Sequence, residues 1–492
     1  MSSSPPNQTQ WASSWSCLPG EIRLLILEAL MEDSCKLGCF ATVSREWQTE
    51  IARRNFARIR LTPPRLKEFG PMIYRNRALV HYIWFCLELD DYDCEECVPE
   101  NWDFKGVMLG FLSSVNDTTG YSIPSAFQTL LSVLSTWEPH ANLTLDISIY
   151  SPSDSKHWFK YLTFTPDAPS DTFYDPDHGW WASKRPRRPP PELAVIKWNQ
   201  LPRAPVVTSV LLRQQNRRRW NPQTVAHTLS CFPRLQAIQY EPWREWGRQQ
   251  KHTDRGFEYL FETIRHLDNS LKRLVVFENF NQQYPYSMRL LDREEDLMCC
   301  DNIRKPNPAV SRKIALASLK LEYLAASFIA DASQFFETEP HWEWPHLKTL
   351  VITSKLLTPD EDPNKIQTML RAAAAAANKM PRLETMDIWN GRRGVAALSR
   401  YQVCRDRQEG RVLWRGTWGL HMEPSVIQAW DTVVSRHGYS SLLVAHESLD
   451  GAVINSHADA IHHLILSGNI IRPVSLQQIR EEQKALEGAR IL

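Results

Sequence analysis

The chain has 492 residues, of which 43% are hydrophobic and 23% charged, and Lys+Arg 57 against Asp+Glu 56 leave a formal net charge of +1. This length exceeds one ordinary core and predicts two to four domains or one elongated array. The charge balance provides no overall attraction to nucleic acid or to a membrane surface, so we expect neither as a partner. The 10 Cys, without a secretory signal or a long apolar run, predict free thiols and a cytoplasmic or nuclear location.

The amino-terminal part predicts a polar tail followed by a compact helical segment. Residues 1–16 are rich in Ser, Pro, Asn and Gln and are expected to be disordered, whereas residues 17–62 carry apolar residues at helical spacing. Pro19 stands where a helix begins, and Ile22, Ile26 and Leu30 recur every four residues along one face. Because so short a segment buries too little surface to be stable alone, this stripe needs a neighbouring surface from the chain or from a partner.

The run Leu18-Pro19-x-Glu21-Ile22-x-x-x-Ile26-x-x-x-Leu30, followed by Val43-Ser44-Arg45-x-Trp47, resembles an F-box. F-box domains are small three-helix units that dock on a Skp-type adaptor of cullin–RING ubiquitin ligases. The resemblance implies that docking falls on Leu18, Pro19, Ile22, Ile26, Leu30, Val43 and Trp47. The segment between the first two helices departs from the family, since it contains Cys35, Gly38 and Cys39 where leucines are common. The alternative is an ordinary helical cap on the domain that follows.

Residues 63–140 are predicted to form a mostly helical connector, and residues about 166–192 an exposed loop rich in Pro and Arg. Within the connector, His81, Cys86, Cys94 and Cys97 are four donors of the type that binds zinc. A single C-x-x-C without a second one is a weak signal, so reduced thiols are the favoured interpretation. We therefore expect no metal and no cofactor.

The second half of the chain carries a repeated pattern, L-x-x-(L/I/M)-x-apolar, often preceded by Pro. Such a unit is typical of a short strand in a parallel stack, and it needs neighbouring units to bury its apolar face. Five segments, 232–240, 271–276, 321–326, 344–352 and 380–388, fit the pattern or nearly fit it, and 207–212 is a candidate sixth. Residues 143–149 are predicted as a strand by strict alternation and are a candidate start of the series, with helices expected at 254–267, 363–378 and 424–437. The sequence therefore predicts an α/β chain with an irregular leucine-rich-repeat-like solenoid over residues 141–474.

A terminal helix over residues 475–492 is expected to close the stack, because Ser475 and Gln478 have the form of a capping box. The whole layout resembles the fungal F-box proteins that carry an irregular leucine-rich-repeat-like region after the box. That resemblance implies that the repeat domain captures a protein target. Trp243, Trp246 and Trp389, at strand ends, are candidates for target contact, with packing in the core as the alternative.

No phosphate-binding loop, dinucleotide fingerprint, H-E-x-x-H motif or nucleophile elbow occurs in the sequence, so we expect no enzyme. The function that the resemblance implies is the substrate-recognition adaptor of an SCF-type (Skp–cullin–F-box) ubiquitin ligase. The ligase would supply the chemistry, and this chain would raise the local concentration of a target whose identity the sequence does not reveal. The alternatives are a protein-binding repeat scaffold that works without a ligase and, from a different class, a metalloprotein or hydrolase.

Overall fold

The computed structural model describes residue 15 and residues 18–33, 39–88, 123–139, 142–150, 192–193, 201–214, 219–244, 248–267, 270–280 and 305–488. Over these residues the chain is a mixed α/β structure on one large sheet, without barrel closure. None of the helices in this part of the chain has the length and apolar character that crossing a bilayer requires.

The strands are β1 Arg58–Leu61, β2 Tyr82–Glu88, β3 Leu143–Tyr150, β4 Glu192–Leu193, β5 Val207–Leu212, β6 Arg219–Trp220, β7 Ala237–Tyr240, β8 Arg273–Phe277, β9 Tyr323–Ser327, β10 Thr349–Thr353, β11 Thr385–Arg392, β12 Val395–Cys404, β13 Glu409–Gly416 and β14 Ser441–Ser448. The helices are α1 Gly20–Asp33, α2 Arg45–Ala57, α3 Leu66–Ile73, α4 Ile123–Leu134, α5 Pro222–Ser230, α6 Arg248–His266, α7 Pro308–Ala317, α8 Ala332–Phe335, α9 Pro363–Ala377, α10 Pro424–Arg436, α11 His457–Leu464 and α12 Pro473–Gly488.

The main sheet has 12 strands in the order β1-β2-β3-β5-β7-β8-β9-β10-β11-β12-β13-β14, which is also their order in the chain. Neighbours from β1 to β11 are parallel, β12 is antiparallel to both its neighbours, and β13 and β14 are again parallel. The short strands β4 and β6 form a separate parallel pair. The sheet therefore grows by one neighbouring strand at a time and has β1 and β14 at its two edges.

Helices α3 to α10 pack on one side of the sheet, which we call the helical face. Alternate strand residues, such as Ile83 and Phe85 of β2 or Leu324 and Ala326 of β9, point into one continuous core with these helices. The approach is close at β13, where a side chain on Gly410 would overlap Val434 of α10. Parallel strands with helices between them are expected to bury this face.

The other side of the sheet, which we call the opposite face, is covered differently. Val275, Ala325 and Val351, on three successive strands, point away from the helical face and pack against α11 and α12 in a second core. Ile461 and Leu464 of α11 contribute the helix side of that core. The middle strands are therefore buried on both faces, as their continuous apolar sequences require.

Residues 464–472, which we call the crossing segment, join α11 to α12 and run against the strand order across the opposite face. Three arginines donate hydrogen bonds to its carbonyl oxygens: Arg415 of β13 to Leu464 (2.9 Å), Arg400 of β12 to Ile465 (2.8 Å) and Arg273 of β8 to Asn469 (3.1 Å). In the other direction, the backbone N–H of Ser467 donates to the carboxylate of Asp387 on β11 (2.7 Å). Side chains of successive strands thus hold the backbone of the crossing segment in one register.

Several sequence predictions on secondary structure are confirmed. Each segment with the repeated pattern contains a strand, and helices α6, α9 and α10 coincide with the three expected helices to within a few residues. The terminal helix begins earlier than expected, at Pro473. Ser475 does not cap this helix, because it is the third residue of the helix and its hydroxyl donates a hydrogen bond to Glu241 (2.6 Å).

The prediction of a helical connector over residues 63–140 is wrong in one respect. Helices α3 and α4 lie there, but so does β2, which pairs with β1 and β3 inside the main sheet. Its sequence from Tyr82 to Leu87 is a short apolar run without helical periodicity, as expected of a strand buried on both faces. The boundary at residue 62 also fails, because β1 already belongs to the sheet. The loop predicted at 166–192 lies outside the described residues, apart from its last residue.

The three-helix prediction for residues 17–62 is met in part. Helices α1 and α2 are present, and a short 3-10 helix at Phe40–Thr42 lies between them. Ser44 caps α2 by accepting a hydrogen bond from the backbone N–H of Trp47 (3.3 Å). Trp15 lies in the predicted disordered tail, yet it packs against Trp47 in this unit, so the prediction of disorder is wrong at this residue.

His457, the first residue of α11, is a neutral anchor in the second core. Its ring stacks on Phe280 (4.6 Å between centroids) and meets the edge of Phe328 (5.7 Å). Its Nε2 lies 3.0 Å from Oδ1 of Asn279, which also accepts the N–H of Phe280, so the imidazole is the donor. Complete burial lowers the pKa of His457 from 6.5 to about 3.

Stability is expected to fall in acid because of this histidine. The unfolded chain binds a proton at His457 below about pH 6.5 and the folded chain does not, so the free energy of unfolding falls between about pH 6.5 and pH 3, by up to ~1.4 kcal/mol per pH unit. His457→Gln keeps a donor for Asn279 but does not titrate. Urea unfolding followed by tryptophan fluorescence between about pH 7 and pH 5 should show a shallower pH dependence in the variant. Equal slopes would contradict the assignment.

Candidate functional site

Helix α1 has apolar residues on two sides, and only one side is packed against the chain. Leu27 and Met31 are buried in a small core with α2. A helix turns by ~100° per residue, so Ile22, Leu25 and Ile26 lie on roughly the other side of α1. All three are exposed, Leu25 to 58%. The second side of the helix is therefore open to solvent and lies outside the small core.

The exposed set continues beyond the helix. Pro19 is exposed and its carbonyl oxygen accepts the N–H groups of Ile22 and Arg23 (3.1 Å each), which starts the first turn. We call the following residues the N-terminal apolar surface: Leu18, Ile22, Leu25, Ile26 and Val43, the last exposed to 61%. Glu21 and Glu28 are also exposed on α1, so charged side chains adjoin these aliphatic ones. Clusters of exposed aliphatic residues with a polar border are a common sign of a binding surface.

Two of the residues assigned to docking have other surroundings. Trp47 packs between Trp15 (5.3 Å) and Phe40 (6.0 Å) in the small core, and Leu30 is half-buried. The side chain of Trp47 thus holds α2 to the preceding segment, and its role in docking stays a prediction. Leu25, which the F-box resemblance does not single out, is more exposed than Ile22 or Ile26.

The N-terminal helical unit is tied to the edge of the sheet. Helix α2 runs directly into β1, and the carbonyl oxygen of Ala57 at this junction accepts the N–H of His81 (3.0 Å). Phe56 and Ile59 pack against the core of the helical face. The N-terminal apolar surface is therefore presented from an anchored position.

Polar groups replace apolar ones on the opposite face at the first strands. Asp146 of β3 accepts hydrogen bonds from Arg213 (Nε–Oδ1 3.0 Å, and Nη2 to Oδ2) and from the hydroxyl of Tyr82. Arg213 lies over the ring of Trp84 (5.1 Å), whose Nε1 donates to Ser148 (2.6 Å). Burial, and then repulsion from another arginine, lower the pKa of Arg213 to about 10, so it stays charged at neutral pH. The buried ion pair between Arg213 and Asp146 therefore helps to hold the fold together.

Glu241 joins this polar region to the carboxy-terminal helix. It is buried just after β7 and accepts hydrogen bonds from the N–H of Arg472 (2.9 Å) and from Ser475 (2.6 Å) at the start of α12. A carboxylate at a helix amino terminus is favourable, because it meets unpaired N–H groups and the positive end of the helix dipole. At the sheet edge, Arg58 and Arg60 are exposed and stack over Tyr82 (4.4 Å) and Trp84 (4.8 Å).

The three tryptophans considered for target contact differ in their burial. Trp389 is completely buried in the second core against Phe328 (5.1 Å), so the expectation that it lines a binding surface is wrong. Its alternation along β11 points it to the opposite face, which α11 and α12 cover. Trp243 is half-buried and donates to the carbonyl oxygen of Gln214 (3.0 Å). Trp246 lies outside the described residues.

The donors considered for zinc do not form a site where they are described. His81 is exposed before β2, whereas Cys86 is fully buried on the opposite face of β2. Cys94 and Cys97 lie outside the described residues. No group of His, Cys, Asp or Glu within the described ranges is arranged to hold a metal ion.

One family model matches the chain, over residues 266–472, and is described as a family of unknown function, DUF6546. The matched region runs from the end of α6 to the end of the crossing segment, which is less than half of the chain. No F-box or leucine-rich-repeat family model matches, and no curated protein sequence matches the chain. The matched region is thus the doubly covered part of the sheet, and it excludes the N-terminal unit.

Removing the carboxylate beneath Arg213 is expected to be costly. Asp146→Ala leaves a buried cation without its partner, and such changes cost about 3–5 kcal/mol. The matched control is Asp360→Ala, which breaks the exposed ion pair with Arg392 (3.2 Å) and should change stability little. Chemical unfolding of both variants measures the difference. Similar small losses in the two would show that Arg213 does not depend on Asp146.

Substitutions of Trp47 and of Ile26 are expected to differ in their effect on the stability of the N-terminal unit. Trp47→Ala removes an aromatic contact from a small core and should lower the free energy of unfolding of the N-terminal unit by about 3 kcal/mol. Ile26→Asp places a charge in solvent and should leave folding nearly unchanged. Hydrogen exchange of the α1 and α2 amides reports on this unit alone. Faster exchange in Ile26→Asp would mean that the residue is packed.

Proposed function

We propose that this chain is the substrate-recognition adaptor of an SCF-type ubiquitin ligase. The supporting observation is that Ile22, Leu25 and Ile26 of α1 are exposed while Leu27 and Met31 make its internal contacts. A helix needs only one apolar side to pack on its own chain. The second side is accounted for if a Skp-type adaptor covers it.

Energetics favour such an occupant. An aliphatic side chain gains roughly 1.5–3 kcal/mol when it passes from full exposure to full burial, so covering the exposed parts of Ile22, Leu25 and Ile26 contributes favourably against the entropy cost of association. The anchoring of α2 to β1 also supports this role, because a docked adaptor would then hold the whole sheet at a fixed position. The ligase, reached through the adaptor and a cullin, would supply the chemistry.

The sheet is proposed to be the irregular leucine-rich-repeat-like array that binds the target protein. Strands β1 to β11 are parallel, follow chain order and carry their helices on one face, which is the arrangement of such arrays. Since α11 and α12 cover the opposite face at the middle strands, target contact is proposed at the first strands. There Arg58 and Arg60 present exposed cations stacked on aromatic rings.

The second candidate is a protein-binding scaffold that works without a ligase. Two observations favour it: β1 continues directly from α2, as it would if the helical unit only capped the sheet edge, and no F-box family model matches the chain. No group of His, Cys, Asp or Glu in the described residues is arranged to hold a metal ion, so no observation there favours the metalloprotein alternative.

Adaptor binding separates the two candidates. The double variant Leu18→Asp/Ile22→Asp should lose recovery of a Skp-type adaptor in a pull-down by at least about tenfold, because two buried aliphatic contacts become unpaired charges. Val453→Asp changes another exposed aliphatic residue, far from α1 in the chain, and should recover as much adaptor as the native chain.

Folding of each variant is checked by hydrogen exchange before the comparison. Recovery that is unchanged in the double variant, or an absence of adaptor binding by the native chain, would refute the ligase role. The scaffold candidate would then stand.

A further inference from the structure

The two edges of the main sheet differ in length and charge. β1 has four residues, and two of them, Arg58 and Arg60, are exposed arginines. β14 has eight residues, Ser441–Ser448, with Glu447 as its one acidic side chain and neither Lys nor Arg among them. Natural sheets protect their edges with short strands, charged residues, prolines or bulges. β1 shows this protection and β14 does not.

The charge on β14 is also neutralised within the chain. Glu447 accepts hydrogen bonds from Arg411 (3.2 Å) and Arg415 (2.7 Å) of the neighbouring strand. Leu443, on the same side of the strand, is 47% exposed. Leu442 and Val444, on the other side, are half-buried against the core of the helical face. Between Leu442 and Ala445 the strand therefore presents an aliphatic edge, and its one carboxylate is already paired within the chain.

The outer backbone groups of β14 are available for pairing. The N–H of Leu449 donates to Gly416 of β13 (2.8 Å), and this sets which backbone groups face β13. Alternation along a parallel strand then turns the N–H and C=O groups of Leu442, Val444 and His446 outward. β14 is the last strand in the sheet order, and no described strand pairs with these groups.

We propose that β14 is an association edge, through which two copies of this chain pair antiparallel about a two-fold axis. A parallel arrangement of two such edges would need an offset of one residue between the copies and could not be symmetric, whereas the antiparallel arrangement obeys an exact two-fold axis and uses the same strand twice. The outward groups of one strand then bond to those of the other, and one sheet runs through both copies. This association does not depend on the adaptor role.

The side chains of β14 fit a second copy of themselves. With Val444 at the two-fold axis, Leu443 lies across from Ala445 of the second copy and Ser441 across from Glu447, so no like charges meet. Aliphatic cross-strand pairs are favourable, and like charges placed opposite each other are not. A single short edge buries less area than a permanent interface, so the dimer should depend on concentration.

The test uses the full chain in sedimentation velocity over a range of concentrations. His446→Pro removes an outward N–H without touching the bonds to β13, since proline is tolerated on edge strands. Leu443→Lys adds the charge that protected edges carry. Each change acts twice in a two-fold dimer, so the dissociation constant should rise at least about tenfold in either variant.

The matched control is Met72→Lys, which places the same charge on an exposed aliphatic residue of α3. A native dimer that persists in Met72→Lys and weakens in both edge variants supports the proposal. A native chain that is monomeric at every concentration overturns it, as does a dimer that both edge variants retain. Circular dichroism confirms that each variant is folded, and the two different edge substitutions guard against local misfolding.

Discussion

A strand in the middle of a parallel sheet has to bury both of its faces, and this requirement organises the molecule. The helices that connect the strands cover only one face. On the middle strands the other face is also apolar, with Val275, Ala325 and Val351 in a row. The chain meets the requirement by returning after β14, so that α11 and α12 lie on these residues. The last part of the chain is thereby a component of the core.

The hydrogen bonds that hold the crossing segment in place explain why the opposite face carries polar residues. A backbone segment on a sheet has N–H and C=O groups that need partners. Asp387, Arg400 and Arg415 point from their strands to the crossing segment and provide those partners. Asp387 and Arg400 also form a two-pronged ion pair with each other (2.7 and 2.8 Å). Charges that look misplaced in buried strands are therefore the attachment points of the covering segment.

The sequence predicted the repeated strands well, because their pattern is local. Leu350 and Ile352 alternate with residues of the other face, and a leucine three residues before Leu350 marks the turn. It did not predict β2 as a strand, since Tyr82 to Leu87 is apolar on both faces and lacks any period. It also left Trp389 open between target contact and core packing, because nothing in β11 itself shows that a segment about 70 residues later covers it. Coverage by distant chain is a tertiary property.

For the candidate site, the sequence identified the apolar stripe but not which side of α1 would be used internally. In the sequence, Ile22 and Ile26 form a regular row at helical spacing. The pair Leu27 and Met31, which the structure buries, does not stand out in the sequence, because α1 is apolar around most of its circumference. A periodicity argument assigns the regular row to the core. The packing partners, Ile51 and the aromatic residues around it, lie on separate elements, and only the folded chain shows which row they reach.

The two sides of α1 relate to the two roles considered for the N-terminal unit, a cap on the sheet and a docking surface for a partner. Its inner side, with Leu27 and Met31, packs on α2, and α2 continues into β1, so the unit is attached at the first edge of the sheet as a cap would be. A cap needs nothing more, and an outer side made of Glu, Lys or Arg would satisfy it better. Because the outer side carries Ile22, Leu25 and Ile26 instead, capping explains the attachment of the unit and leaves its exposed surface to a second requirement. A partner that buries this surface is the simplest such requirement, whether or not that partner belongs to a ligase.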